Sequence, residues 1–170
     1  MLRLARAIDR FTELSAALFA WLLVPMLVAV AWEVVARYVF DAPTVWVYET
    51  VYTLCAAMFM LGAAYALRVG AHIRTDFLWE KWPVRTRAGI DAVAYVALFF
   101  PGMALFLVAG AEAAWSSYAL GERSADTAWL PPLWPLKALV PVSALLLLAQ
   151  GVSELAKSAH AWRTGEEFKP

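Results

Sequence analysis

Cysteine is almost missing from this chain, charge is scarce, and histidine occurs only twice. The single cysteine, Cys55, cannot close an internal disulfide or build a cysteine metal cluster. It lies within an apolar run and reads as a small buried apolar residue. His72 and His160 lie outside the apolar runs, so bis-histidine haem ligation inside a bundle has no axial ligands. Charged residues make up 16% of the 170 positions and their signs cancel, whereas a soluble domain carries about 25%. There is no overall basic field to draw nucleic acid. A glycine-rich phosphate loop, a nucleophile beside a base and a carboxylate pair in a water-excluded setting are also lacking. The residues give no sign of an enzyme.

What the chain has is apolar surface, with 63% hydrophobic and 14% aromatic residues. Four runs carry no charge: residues 14–32, 50–67, 92–111 and 138–153. A helix needs about 20 mostly apolar residues to cross the hydrocarbon core. The first three runs qualify directly. The fourth is extended by uncharged residues upstream, so helix four should begin near Leu133 and carry Lys137 close to its end, where it can snorkel. Barrel strands would show ten-residue alternation instead, and backbone in lipid must be satisfied within its own segment. The expected fold is therefore an all-α integral membrane protein. It forms a single membrane domain of four transmembrane helices, at about 12–40, 46–69, 89–117 and 133–156. Pro25, Pro101 and Pro141 fall inside the runs and predict local kinks.

Orientation follows from the basic residues. Arg3, Arg6 and Arg10 precede the first run; Arg68, Arg74, Lys81, Arg85 and Arg87 occupy the second loop; Lys157, Arg163 and Lys169 lie in the tail. Only Arg37, Arg123 and Lys137 fall on the other side. The positive-inside rule places both termini and the second loop in the cytoplasm. Tryptophans agree: Trp46, Trp115, Trp129 and Trp134 fall near outer helix ends, and Trp79, Trp82 and Trp162 near the inner face. They read as headgroup anchors against membrane lipids rather than as a cofactor box. The first run is too long for a secretory signal and is preceded by Asp9 and Glu13, which favours a retained helix. In the second loop, Phe77, Leu78, Trp79 and Trp82 alternate with basic residues, as in a segment lying flat at the inner surface; an ordinary basic loop is the other reading.

Some charges sit where lipid disfavours them. Glu33 and Arg37 are four residues apart with the acid first, the favourable order on one helix face. Arg37 is also within reach of Glu49 across the short hairpin 41–46. A proton or cation carrier at Glu33 is one reading. An adjacent arginine holds a carboxylate ionised, however, and favours a structural pair or docking contact. Arg68, His72 and Asp76 recur at four-residue spacing and would share a face on a continuing helix. One imidazole and one carboxylate make a poor zinc site, so a structural polar cluster is expected.

The order of these residues resembles the small membrane subunit (DctQ-like) of tripartite ATP-independent periplasmic (TRAP) transporters. The resemblance rests on Arg37-Tyr38-Val39-Phe40 closing helix one and Trp46-Val47-Tyr48-Glu49 opening helix two. It continues in Arg68-Val69-Gly70-Ala71-His72-Ile73 with Asp76 after it, and in Trp129-Leu130-Pro131-Pro132-Leu133-Trp134 before helix four. It implies residence in a bacterial inner membrane and no cofactor. It also implies two partners, a large elevator-type membrane subunit and a periplasmic solute-binding protein that delivers an organic acid for sodium-coupled symport. The small subunit would serve as fixed scaffold and bind no substrate. Glu33, Arg37, Trp46 and Glu49 would then brace the outer face, and Arg68, His72 and Asp76 the inner face. The outer loops 41–45 and 120–129 are candidates for touching the binding protein. Rival readings are a self-sufficient homo-oligomeric transporter using Glu33, and a four-helix membrane redox enzyme.

The topology is checked by reporter fusions at both ends, which should report the same, cytoplasmic, face. Ends on opposite faces would refute it.

Overall fold

A computed structural model describes residues 2–71 and 82–166. It is about 80% helical, and the described residues contain no strand beyond one bridge between Arg123 and Pro132. Among the described residues the helices are α1 (Leu2–Ala20), α2 (Leu23–Tyr38), α3 (Val47–Arg68), α4 (Val84–Ala94), α5 (Phe100–Ala119) and α6 (Trp134–Thr164), with a π-turn at Tyr95–Phe99 joining α4 to α5. They form four helical stretches long and apolar enough to cross a membrane: Arg3–Tyr38, Val47–Arg68, Val84–Ala119 and Trp134–Thr164.

Two of the three prolines that predict kinks interrupt a helix in definable ways. The first stretch is not one continuous helix, because it breaks at Trp21 and Leu22. Pro25 has no N–H to give the carbonyl of Trp21, which accepts instead from Val24 at 3.1 Å. Neighbouring bonds also shorten to three-residue spacing, from Trp21 to Leu18 and from Leu22 to Phe19. In the third stretch the disturbance lies just before Pro101. There the Phe100 N–H reaches back five residues to the Tyr95 carbonyl, making the π-turn. Pro141 lies within an uninterrupted α6.

The helices end where the chain can turn left-handed. Gly70 follows α3 with φ of 68°, and the Ala71 N–H bonds the Ala66 carbonyl at 2.9 Å. Gly121 does the same after α5, where the Glu122 N–H bonds the Ser117 carbonyl at 3.0 Å. Both close freed carbonyls that lipid or loop could not satisfy.

Helix α6 is the centre, packing against α1, α3, α4 and α5, whereas α2 packs chiefly on α3. Lipid tails are as apolar as leucine, so helices gain little by hiding apolar surface from one another and associate through close packing and hydrogen bonds. The core shows this. Its most buried residues are small or polar: Ala144, Ser143, Gln150, Ser153 and Ser117. Most large aliphatic and aromatic side chains face outward, Leu98, Leu105, Trp115 and Phe59 among them. At two places a neighbouring side chain lies so close to a helix backbone that only glycine fits. A Cβ on Gly110 would lie 2.6 Å from Val140, and one on Gly151 would lie 2.4 Å from the Phe99 ring.

Gly151→Ala should therefore lower stability by about 1–3 kcal/mol through overpacking of Phe99. Gly62→Ala, whose new Cβ meets nothing within 4 Å, should leave it unchanged or slightly higher. Thermal unfolding of the detergent-solubilised protein checks both, and equal midpoints would contradict the close approach.

Candidate functional site

At the end of the bundle where α2 meets α3, Glu33 is the organising group. Its Oε1 accepts from Arg37 Nε at 2.9 Å and from Arg37 Nη2. Its Oε2 accepts from the Thr44 N–H at 3.0 Å and from the Thr44 hydroxyl. The carboxylate thereby pins the last turn of α2 to the connection before α3. With both oxygens engaged by donors, Glu33 is arranged as a fixed anion, which opposes proton carriage.

The reach from Arg37 to Glu49 allowed by the sequence is not the contact made. Glu49, buried in the first turn of α3, accepts from the Thr127 hydroxyl at 3.0 Å. It thus joins α3 to the loop between α5 and α6. The reason is rotational: Glu49 lies on the side of α3 that is buried, whereas the Arg37 side chain remains 53% exposed. Trp46 precedes α3, its carbonyl accepting from the Thr50 hydroxyl at 2.9 Å. Trp46, Trp82, Trp115, Trp129 and Trp134 all keep exposed ring surface, as anchors require. Trp79 lies outside the described residues.

The loop between α5 and α6 is itself well tied. Arg123 Nη1 donates to the Leu130 carbonyl at 3.0 Å, the Ser124 N–H to Pro131 at 2.9 Å, and the Leu133 N–H to Glu122 at 3.0 Å. Glu122 and Lys137 pair across its base. The Lys137 ammonium holds the Glu122 carboxyl below its usual range. Because that folded-state value is lowered, the pair contributes at neutral pH and its contribution is lost as pH falls through the folded-state value.

At the opposite end, Arg68 pairs with Glu13 of α1 at 3.2 Å. His72 and Asp76, its expected companions, lie outside the described residues. The principal polar cluster at this end was not anticipated from the sequence. Asp9 Oδ1 accepts from Gln150 Nε2 at 2.9 Å and from Ser153 Oγ at 2.7 Å, while Lys157 Nζ lies 2.8 Å from Asp9 Oδ2. The Gln150 amide also donates to Glu154 Oε1 at 2.8 Å and accepts from the Thr12 hydroxyl at 2.7 Å. Lys157 closes the ring on Glu154 at 2.8 Å. Gln150 and Ser153 are fully buried. A legible signal did exist: Gln150, Ser153, Glu154 and Lys157 fall at offsets of zero, three, four and seven, which put them on one helix face. A glutamine inside an otherwise apolar membrane run calls for a partner.

Residues 26–161 match the family model described as tripartite ATP-independent periplasmic transporters, DctQ component. The chain belongs to this family. It is a transporter component and not an enzyme. The DctQ match runs from near the start of α2 almost to the end of α6. It therefore includes Glu33, Arg37, Trp46, Glu49 and Arg68, and also Gln150, Ser153 and Lys157. The α1 half of the polar cluster, Asp9 and Thr12, precedes the matched DctQ region. No curated protein matches the chain. DctQ components work in tripartite complexes with a large membrane subunit and a periplasmic binding protein.

Replacing Gln150 with Leu removes two donors and one acceptor from the buried Asp9 and Thr12 and the half-buried Glu154. Stability should fall by about 1–2 kcal/mol, since unmade bonds inside membrane bundles cost less than in water-excluded soluble cores. Thermal unfolding of the Gln150→Leu variant in detergent gives the measurement, and an unchanged midpoint would show that the seam is not formed.

Proposed function

We propose that this chain is the static scaffold subunit of a secondary, sodium-coupled TRAP transporter that imports an organic acid across a bacterial inner membrane. Both termini lie in the cytoplasm, and the substrate is carried by the large subunit after delivery by a periplasmic binding protein. The observation that supports the reading best is the use to which the chain puts its buried polar groups. Asp9, Thr12, Gln150 and Ser153 are spent on one another, joining α1 to α6. A scaffold must resist tilting while its partner moves, and hydrogen bonds between helices supply that resistance in lipid.

The outer brace has the same character. Glu33 fixes α2 to its following loop, and Glu49 fixes α3 to the loop around Thr127. These two loops, 41–45 and 120–129, present the surface on which the binding protein docks. Arg37, Trp46 and Glu49 hold them in register, and Arg68, with His72 and Asp76, braces the cytoplasmic side. The tryptophans set the depth of the frame in the bilayer.

Glu49→Ala and Arg37→Ala should each reduce co-purification of the large subunit or sodium-driven uptake by about tenfold, the equivalent of one lost charge-assisted bond. Uptake in reconstituted vesicles and the recovered subunit ratio are the readouts. Wild-type values for both would remove these residues from the brace.

A further inference from the structure

Helix α1 packs on α3 and α6 and turns Ala5, Ile8, Asp9 and Thr12 inward; every other residue from Arg3 to Leu14 is exposed. On the open side Arg6, Arg10, Leu14 and Leu18 follow one another in steps of four, so they form one continuous ridge of the helix. Leu14 is 63% and Leu18 67% exposed. Neither Arg6 nor Arg10 has an ion pair or hydrogen bond among the described residues. The acids closest to them in the chain are engaged elsewhere. Asp9 is held by Gln150, Ser153 and Lys157, and Glu13 reaches Arg68 of α3. Two like charges one turn apart repel each other, and an anion between them would remove the repulsion.

We propose that Arg6 and Arg10 hold the phosphate of an anionic phospholipid whose acyl chains lie along Leu14 and Leu18. The inference asks only that α1 lie in lipid, and it is independent of the scaffold reading. The order along the ridge, two basic residues and then two apolar ones, is the order of a phospholipid from head to tail. A guanidinium offers phosphate a planar fork of donors. A soluble acidic partner would answer the charge and leave Leu14 and Leu18 uncovered. A second copy of this chain, related by a two-fold axis along the membrane normal, would bring its own arginines against these. A zwitterionic head carries its own cation and gains less, so the preference is for net negative charge.

Depth separates these two arginines from the third on α1. The charge-free run begins just after Glu13, which marks the edge of the hydrocarbon core. From there Arg10 stands roughly 4–5 Å, Arg6 roughly 10 Å and Arg3 roughly 15 Å further out at helical rise. The headgroup layer on each side of the core is about 5–8 Å thick. Arg10 therefore lies within it and Arg6 at its surface, inside the reach of its side chain. Arg3, equally exposed, lies beyond and serves as the internal control. Each arginine at the lipid surface is worth about fivefold in affinity for an anionic head.

The test exchanges the full chain into neutral-detergent micelles holding equal amounts of phosphatidylglycerol and phosphatidylcholine with the same acyl chains, and weighs the lipids retained. The wild type should keep phosphatidylglycerol over phosphatidylcholine by roughly twentyfold. Arg6→Gln with Arg10→Gln should bring the ratio close to one, and Arg3→Gln should leave most of it. A double variant that keeps the wild-type ratio overturns the proposal, as does an Arg3→Gln loss equal to that of Arg10→Gln, which would mean a diffuse field and no seat. Inorganic phosphate should displace the lipid no better than chloride at the same ionic strength; specific displacement would make this a free-anion site and overturn the lipid assignment. In the assembled transporter, a photoreactive residue in place of Leu14 should give adducts with lipid. Adducts only with the large subunit or with a second copy of this chain overturn the proposal.

Discussion

A helix surrounded by hydrocarbon gains little by hiding a leucine from its surroundings, because the surroundings are no different from the leucine. What it can still gain is a hydrogen bond or a close backbone contact. The interior of this protein follows from that constraint. Bulk faces outward, as Leu98, Leu105 and Phe59 do, while Ala144, Gly151, Ser153 and Gln150 occupy the centre. The α1–α6 seam concentrates the effect, with Asp9 bound by three side chains of α6. A buried charge is costly unless it is answered, and here the answering groups fix two helices at a single rotation and depth.

The same constraint explains which parts of the molecule could be read from the chain. The helices were legible because a charge-free run of membrane length has almost no alternative conformation. The Glu33–Arg37 pair was legible because its partners share one helix and a favourable order. The pairing of Glu49 was not, since Thr127 lies 78 positions away and its loop is positioned by Arg123, Ser124 and Leu133. The Asp9 cluster was missed for the same reason: its halves are 141 residues apart. Asp9 alone looks like an ordinary charge ahead of a membrane run. Gln150 was the clue, a polar side chain deep in an apolar stretch.

Prolines divide the helices into pieces with different attachments. The break at Trp21 and Leu22 separates α1, which is bound to α6, from α2, which leans on α3. The π-turn before Pro101 places Phe99 against Gly151, one residue from Gln150. Backbone irregularity and polar seam thus meet at the same level of the bundle. Membership in the DctQ family gives these features a setting: a component that performs no chemistry has reason to spend its few polar groups on holding shape.

The hydrogen-bonded seam has a thermal consequence. Soluble cores owe their strength largely to the release of water from apolar surface, whose large heat-capacity change weakens them on cooling. Separating α1 from α6 within a bilayer would expose mainly amides, hydroxyls and carboxylates to lipid, with little water ordered or released. The free energy of that separation should consequently vary only gently with temperature and show none of the curvature that leads soluble domains towards cold denaturation.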